Sequence, residues 1–334
     1  NIYGHDCCFI VAKKNETLGF NLYLGGRVGI QAKGTGLFIR PDEVTKTFEA
    51  VTNLFKQYGF RDNRNKNRLH FLLEAVGMDT FIDAIKDYSH LGFDTSGEIL
   101  ATEEFMLNEQ GVFDVGEGLS AVHLSIPSGI FSGSNLIAVS QVAKSVDGKI
   151  RLSVEQSLYI ITKKEKVKQI QESMLFNIYS RYHNIYYNNQ IACAGTATCD
   201  FGVIPNKTDA IAMANFLHKE VPIAGGKVRM YWSACPKGCG IHGIADIGFE
   251  GCKAKDEEGN NVDGVHIYLG GKATKEAQEA RQLFKALPLK TAQDKVKQLM
   301  LYYRDKRFKD ESFESFDSRV LAEFPVEKIV EMIS

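Results

Sequence analysis

Proline is scarce in this chain, seven residues in 334, while 44% of the residues are hydrophobic. That balance excludes a disordered polymer, and the length predicts two or three compact units. Long apolar runs are missing too. No stretch reaches the roughly 18 residues that a membrane-spanning helix requires. The first residues, Asn-Ile-Tyr-Gly-His-Asp, lack the basic-then-apolar layout of a secretory signal and an initiator methionine; the chain is expected to begin inside a domain. Net charge is also lacking: a formal value of −1 gives no global field for nucleic acid or an anionic membrane. The eight histidines show neither H-x3-H nor H-E-x-x-H spacing, which removes the usual histidine metal sites. Together these absences predict a soluble cytoplasmic protein with no nucleic-acid or membrane partner.

What is present in concentrated form is cysteine. Of seven cysteines, four fall between positions 193 and 239. A secreted disulfide scaffold would be denser and even in number, so the cluster reads as metal-binding. Cys193-Ala-Gly-Thr-Ala-Thr-Cys199 is C-x5-C, Cys235-Pro-Lys-Gly-Cys239 is C-x3-C, and 35 residues lie between the pairs. An iron–sulfur cubane needs four thiolates converging through loops of small residues, and Gly195, Gly202, Gly238 and Gly240 supply them. Structural zinc favours two to four intervening residues, which C-x3-C meets and C-x5-C does not. Zinc and ordinary buried thiols are the alternatives. Cys7 and Cys8, in an apolar run, read as core strand residues, and Cys252 as a turn bystander.

Pro41, Asp42 and Glu43 suit a helix start, Val44, Phe48, Val51 and Phe55 recur at helical spacing, and Gly59 ends the run, predicting a helix over 41–58. A second is expected over about 68–88, with Leu72, Leu73, Val76 and Phe81 inward. Residues 89–120 show no period and read as a boundary. From 121 the pattern alternates as strands, including 150–154 continued by Leu158 and Ile160, with helices at about 134–145 and 164–178. The last region, from 183, holds a helix near 207–220, strands at 227–233 and 264–269, and two closing helices, the longer with Val296, Leu299, Met300 and Tyr303 on its core face.

The chain also repeats itself. Phe20-Asn-Leu-Tyr-Leu-Gly-Gly26 echoes Val265-His-Ile-Tyr-Leu-Gly-Gly271 at an offset of 245 residues, and the segment 51–58 resembles 296–303 in type. Strand, Gly-Gly and helices follow in the same order in both copies, which predicts a duplicated unit.

The two cysteine segments resemble the signature of the siroheme and [4Fe–4S] nitrite/sulfite reductases, which pairs C-x5-C with a Gly- and Pro-bearing C-P-x-G-C. The resemblance extends over essentially the whole chain: the Phe20–Gly26 strand, the basic segment from Gly59 to Gly77, and Arg151-Leu-Ser-Val-Glu-Gln156 are similar to family segments. It implies an α+β fold of nitrite/sulfite reductase domains with mixed sheets flanked by helices, a ferredoxin-like half-domain, and a pseudo-twofold repeat. The expected domains are 1–90 for the latter part of the first reductase domain, 91–182 for a linker and half-domain, and 183–334 for the second reductase domain.

The resemblance further implies that Cys193, Cys199, Cys235 and Cys239 ligate a [4Fe–4S] cluster, with Cys239 also bridging to siroheme as its axial ligand. Siroheme is a polycarboxylate, so Arg61, Arg64 and Arg68, spaced to share one helical face, are candidate contacts. Gln156 and Ser233 match positions near the macrocycle. Lys237 departs from the family's more common Asn and is expected to meet a siroheme carboxylate or bias the cluster potential. The implied reaction is the six-electron reduction of nitrite to ammonia or of sulfite to sulfide, with electrons from ferredoxin or a similar donor. The lysine run 163–168 reads as a solvated face that an acidic ferredoxin could use. The family's anion-gripping basic residues are expected upstream of Asn1. A non-catalytic iron–sulfur scaffold subunit and a zinc-stabilised module are the rival readings.

Overall fold

A computed structural model describes residues 4–63, 66–100, 111–153, 155–180, 184–273 and 277–333. The chain divides into two compact units, Asn1–Phe105 with Lys272–Glu279, and Met106–Gly271 with Ala280–Ser334.

The first unit is an antiparallel meander, β1 (Cys7–Lys14), β2 (Thr17–Leu24) and β3 (Lys33–Ile39), extended at its edges by the short β4 (Asp94–Thr95) and β5 (Glu98–Ile99). All the pairings among its described strands are antiparallel. Three helices, α1 (Val44–Tyr58), α2 (Leu69–Val76) and α3 (Met78–Ser89), cover one face. Pro41–Glu43 forms a 3₁₀ turn into α1, and the Gly59 N–H closes on Phe55 O. The inward face of α1 is Thr47, Ala50, Val51 and Leu54. Phe48, expected inside, is 51% exposed, because the stripe rotates by one position once Ala50 and Leu54 set the contact. The single helix expected over 68–88 is two, broken at Gly77 (φ 84°), and Val76 faces outward there. Cys7 and Cys8 do lie in a strand, and burial pushes the Cys7 thiol up to about 12.

The second unit contains two sheets. A small one, ordered β6 (Val112–Gly116), β7 (Leu119–Leu124), β9 (Leu158–Lys163), β8 (Lys149–Leu152), packs against α4 (Gly133–Ser145), α5 (Val167–Gln171) and α6 (Met174–Tyr179). β6 and β7 begin inside the stretch read as a patternless boundary. The helix expected over 164–178 is divided, with Ser173 capping α6 through the Phe176 N–H.

The larger sheet is mixed: β10 (Gln190–Ala192), β11 (Met230–Ser233) and β12 (Ile247–Lys255) run parallel, then β13 (Asn261–Leu269) and β14 (Arg281–Pro288) continue antiparallel. Helix α7 (Lys207–Glu220) and the long α8 (Leu289–Lys306) share its core, and α9 (Phe313–Phe316) and α10 (Val326–Met332) close the chain. The fully buried Trp232 and Phe249 are register partners on β11 and β12, their rings stacked at 3.9 Å. Cys252 lies within β12 opposite Gly264, not in a turn.

The duplication is visible residue by residue. β1–β2–β3–α1 has the connectivity of β12–β13–β14–α8, and the offset of 245 aligns Leu22 with Ile267, Leu24 with Leu269, Val51 with Val296 and Leu54 with Leu299, all buried. Gly25 (φ 79°) and Gly270 (φ 77°) turn alike. The N–H groups of Gly25 and Gly26 reach Asp6 O and His5 O, and those of Gly270 and Gly271 reach Asp246 O and Ala245 O. Each aspartate holds an arginine. Arg68 grips Asp6 through Nε (3.0 Å) and Nη2 (2.8 Å) and extends Nη2 to Gly26 O (3.4 Å). Arg229 grips Asp246 through Nε (3.1 Å) and Nη2 (2.6 Å) and extends Nη2 to Gly271 O (2.9 Å).

The two clamps differ in burial, and so in energy. The Arg229 and Asp246 side chains are 6% and 2% exposed, those of Arg68 and Asp6 45% and 42%. Removing one partner of a buried pair strands the other charge at a cost of about 3–5 kcal/mol, whereas an exposed pair contributes roughly 0–1 kcal/mol. Asp246→Asn is therefore expected to lower unfolding free energy several-fold more than Asp6→Asn. Urea unfolding of the two variants measures this, and equal losses would contradict it.

Candidate iron–sulfur site

Cys193 follows directly on β10, and its amide donates to Trp232 O (3.1 Å). Its sulfur is a built acceptor: Ala234 N–H donates at 3.1 Å and Asn206 Nδ2 at 3.3 Å. Asn206, fully buried, caps α7 with φ 64° and ψ −67°, and Lys207 N–H closes the turn on Pro205 O (2.8 Å). A positive-φ γ-turn at a residue other than glycine costs on the order of 1–3 kcal/mol and persists only where its surroundings enforce it. Here Asp209 accepts the Asn206 N–H at 2.9 Å. Next along, Lys207 donates to Ser128 O; burial lowers its pKa, and negative charge on Cys193 opposes that shift.

Cys199 sits in a tight turn, its N–H on Gly195 O (3.0 Å) and its O accepting from Gly202 (2.9 Å). Gly195 has φ 73°, and a β-carbon there would strike the Pro205 carbonyl. Cys235 leaves the end of β11 buried, while Cys239 is exposed. A β-carbon on Gly240 would collide with Trp232 O, so the chain after Cys239 can lie against β11 only as glycine.

Ser233, fully buried, holds that return. Its Oγ accepts Gly240 N–H (3.0 Å) and meets His242 Nδ1 (2.9 Å). His242 Nε2 lies 3.1 Å from Glu250 Oε2, which also accepts from Tyr268 OH at 3.1 Å. A carboxylate acceptor places the proton on Nε2, leaving Nδ1 to accept the serine hydroxyl. Gln156 (φ 60°) spends both ends of its amide on Ala192, giving Nε2–H to its carbonyl and taking its N–H, each at 3.0 Å. It thereby pins the strand end preceding Cys193. Lys237 lies 4.4 Å from the centre of the exposed Phe201 ring, linking the two cysteine loops.

Arg61 and Arg68 do not share a helical face. Helix α2 starts only at Leu69, because the C-terminus of α1 and the Asp6 clamp hold this stretch instead. Arg61 gives its guanidinium to Phe55 O (2.9 Å), Phe60 O (2.9 Å) and Asn67 Oδ1 (2.8 Å), capping α1; Arg68 serves the clamp; Arg64 lies outside the described residues. Four contributors escaped sequence reading: Asn206, Phe201, His242 and Glu250. Only Asn206 had a signal, as an Asn three residues before Asp209 at a helix start.

Among the described residues, no three His, Cys, Asp or Glu side chains converge closely enough for a single metal ion. Mononuclear zinc would need four ligands crowded on one atom. A cubane gives each thiolate its own iron and spreads the sulfurs wider. Two N–H donors on one cysteine sulfur, loops that only glycine allows, and an all-thiolate donor set fit such a cluster.

Comparison with known proteins agrees. The family described as the nitrite and sulphite reductase 4Fe-4S domain matches residues 1–91 and 187–316, and the nitrite/sulfite reductase ferredoxin-like half domain matches 114–176. The chain belongs to the nitrite and sulphite reductase family. Among curated relatives it is 29% identical over 317 residues to the chloroplastic ferredoxin–nitrite reductase of Spinacia oleracea, covering 90% of this chain and 53% of that protein. It is 26% identical over 279 residues to sulfite reductase [ferredoxin] 1 of Mycolicibacterium paratuberculosis, covering 80% and 50%. A solved structure of the NirA protein of Mycobacterium tuberculosis superposes with TM-score 0.81 at 23% identity, over 99% of this chain and 61% of that one, and shows the fold. The chain thus spans about half the length of the curated relatives it matches.

Ser233→Ala removes the hydroxyl that links Gly240 and His242 behind the second loop. It is expected to cost about 1–3 kcal/mol, read as a lower urea midpoint at unchanged slope. An unmoved midpoint would show that the loop holds without it.

Proposed function

We propose that this chain supplies the cluster-bearing part of a siroheme-dependent nitrite or sulfite reductase, with Cys193, Cys199, Cys235 and Cys239 as the ligands of a [4Fe–4S] cluster. The observation that carries the reading is the Cys193 sulfur held by Ala234 N–H and Asn206 Nδ2 beside a second glycine-hinged cysteine loop. Such donors stabilise a thiolate without titrating, so the sulfur can stay anionic as electrons pass.

The cysteines have unequal roles. Cys235 is buried and Cys199 half-buried, as ligands to the cluster alone can be, whereas Cys239 is exposed, which would leave its sulfur open to siroheme as well as to the cluster. Siroheme, when bound, supplies the iron at which nitrite or sulfite undergoes six-electron reduction. The chain's own contribution is to hold the thiolates and fix the bridging loop. Within it Gln156 and Ser233 hold the cysteine segments in place and Lys237 ties the two loops. Arg61 and Arg68 instead spend their guanidinium donors on the end of α1 and on Asp6. The electrons come from a ferredoxin-type donor, a partner that the relatives' names support. In the described residues no helix is long and apolar enough to cross a membrane.

The test is to purify the chain anaerobically and count metal. Four irons with matching acid-labile sulfide are expected, and each of Cys193→Ser, Cys199→Ser and Cys235→Ser should lose most of both. Zinc without sulfide would overturn the assignment. For the protein that carries this chain, siroheme absorption with viologen-driven nitrite or sulfite reduction is expected, and absence of both after reconstitution would leave only an iron–sulfur scaffold.

A further inference from the structure

We propose that Asn206 is a positioning residue that sets the reduction potential of the cluster through its bond to the Cys193 sulfur; this rests on Cys193 being a cluster ligand. The amide nitrogen of Asn206 lies 2.9 Å from Cys193 O, 3.1 Å from Trp232 O and 3.3 Å from Cys193 Sγ. Two carbonyl oxygens facing the same atom settle which end of the amide is nitrogen. Two N–H hydrogens thus serve three acceptors, one of them the sulfur.

The backbone points the same way. The positive-φ γ-turn at Asn206 sets its side-chain nitrogen back over the strand ends at Cys193 and Trp232, with no solvent access. Asp209 takes the Asn206 N–H, and Ala210 N–H takes the Asn206 carbonyl (2.8 Å), so the residue is fixed from both sides of its peptide. A helix cap needs none of this: an ordinary cap would hold extended backbone and offer its side-chain oxygen to the first turn. What the unusual conformation achieves is delivery of an N–H to a sulfur.

A donor on a ligand sulfur withdraws electron density and favours the reduced, more negative cluster, so it raises the potential. Ala234 N–H acts on the same sulfur but belongs to the backbone; among the described residues Asn206 is the side chain that donates a hydrogen bond to it.

The test is a redox titration of the reconstituted chain by EPR, after iron and sulfide analysis has shown that the wild type holds a cluster; a wild type without one defeats the cluster reading itself and not this inference alone. Asn206→Ala removes the donor and leaves the backbone strain that Asn206 already bears. Asn206→Gly removes the donor and accepts the positive φ without strain. In both, the cluster should assemble, and the ratio of oxidised to reduced cluster at the wild-type midpoint should rise about tenfold, which is 59 mV for a one-electron couple. Wild-type potentials in both variants at full iron content would overturn the proposal. So would loss of the cluster from both, which would make Asn206 a support of the fold and not a tuning donor.

Discussion

Arg229 and Asp246 sit at the starts of neighbouring parallel strands, and the rest of the cysteine-bearing sheet is registered from them. Asp246 takes the backbone N–H of Arg229 (2.7 Å) as well as its guanidinium, while Arg229 reaches Gly271 O and Glu314 Oε2 (2.6 Å). A buried ion pair of this kind adds little net stability, because desolvation offsets the attraction. What it does supply is uniqueness. Sliding β11 by one residue would strand both charges and turn Trp232 away from the core. With the register fixed, Trp232 stacks on Phe249, Ser233 reaches Gly240, and Ala234 N–H meets the Cys193 sulfur.

The same constraint explains why the duplicated halves differ. In the first unit Asp6 and the Gly25-Gly26 turn are kept, but the arginine arrives from position 68, after α1, and not from a neighbouring parallel strand. The strand beside β1 is the antiparallel two-residue β5, which bears no cysteine. The clamp is a shared geometric feature of the strand–Gly-Gly–helix repeat, met twice by different chain segments.

This bears on what could be read from the residues alone. The offset of 245 was legible because core positions repeat by type, and Val51 with Val296 and Leu54 with Leu299 are buried as the spacing implied. The four cysteines were legible because few chemistries use that spacing with glycines. Hidden were features that depend on partners far along the chain. The spacing of Arg61 and Arg68 suggested one helical face, yet Asp6, 62 residues before Arg68, and the end of α1 hold them apart. Gln156 and Ser233 were noticed, but as cofactor contacts. Their ties to Ala192 and Gly240 follow only from strand pairing, which no local pattern fixes. Gly77 and Ser173 each divided a helix that periodicity had run together.

The two cysteine loops are held by opposite means, and the difference matches the exposure of their sulfurs. The first is anchored at the sulfur, where two donors converge on Cys193 and a strained asparagine is kept in place to provide one of them. The second is anchored behind the sulfur, through Ser233, His242 and Glu250, with the bond made to Gly240 and none of that chain spent on Cys239. A sulfur with donors already in place is tuned but crowded. A sulfur whose loop is fixed from behind keeps its open side for another atom. Cys239 is exposed and Cys193 half-buried, so under the proposed ligand set the sulfur with donors and the sulfur open to a further atom lie at opposite ends of the cysteine set.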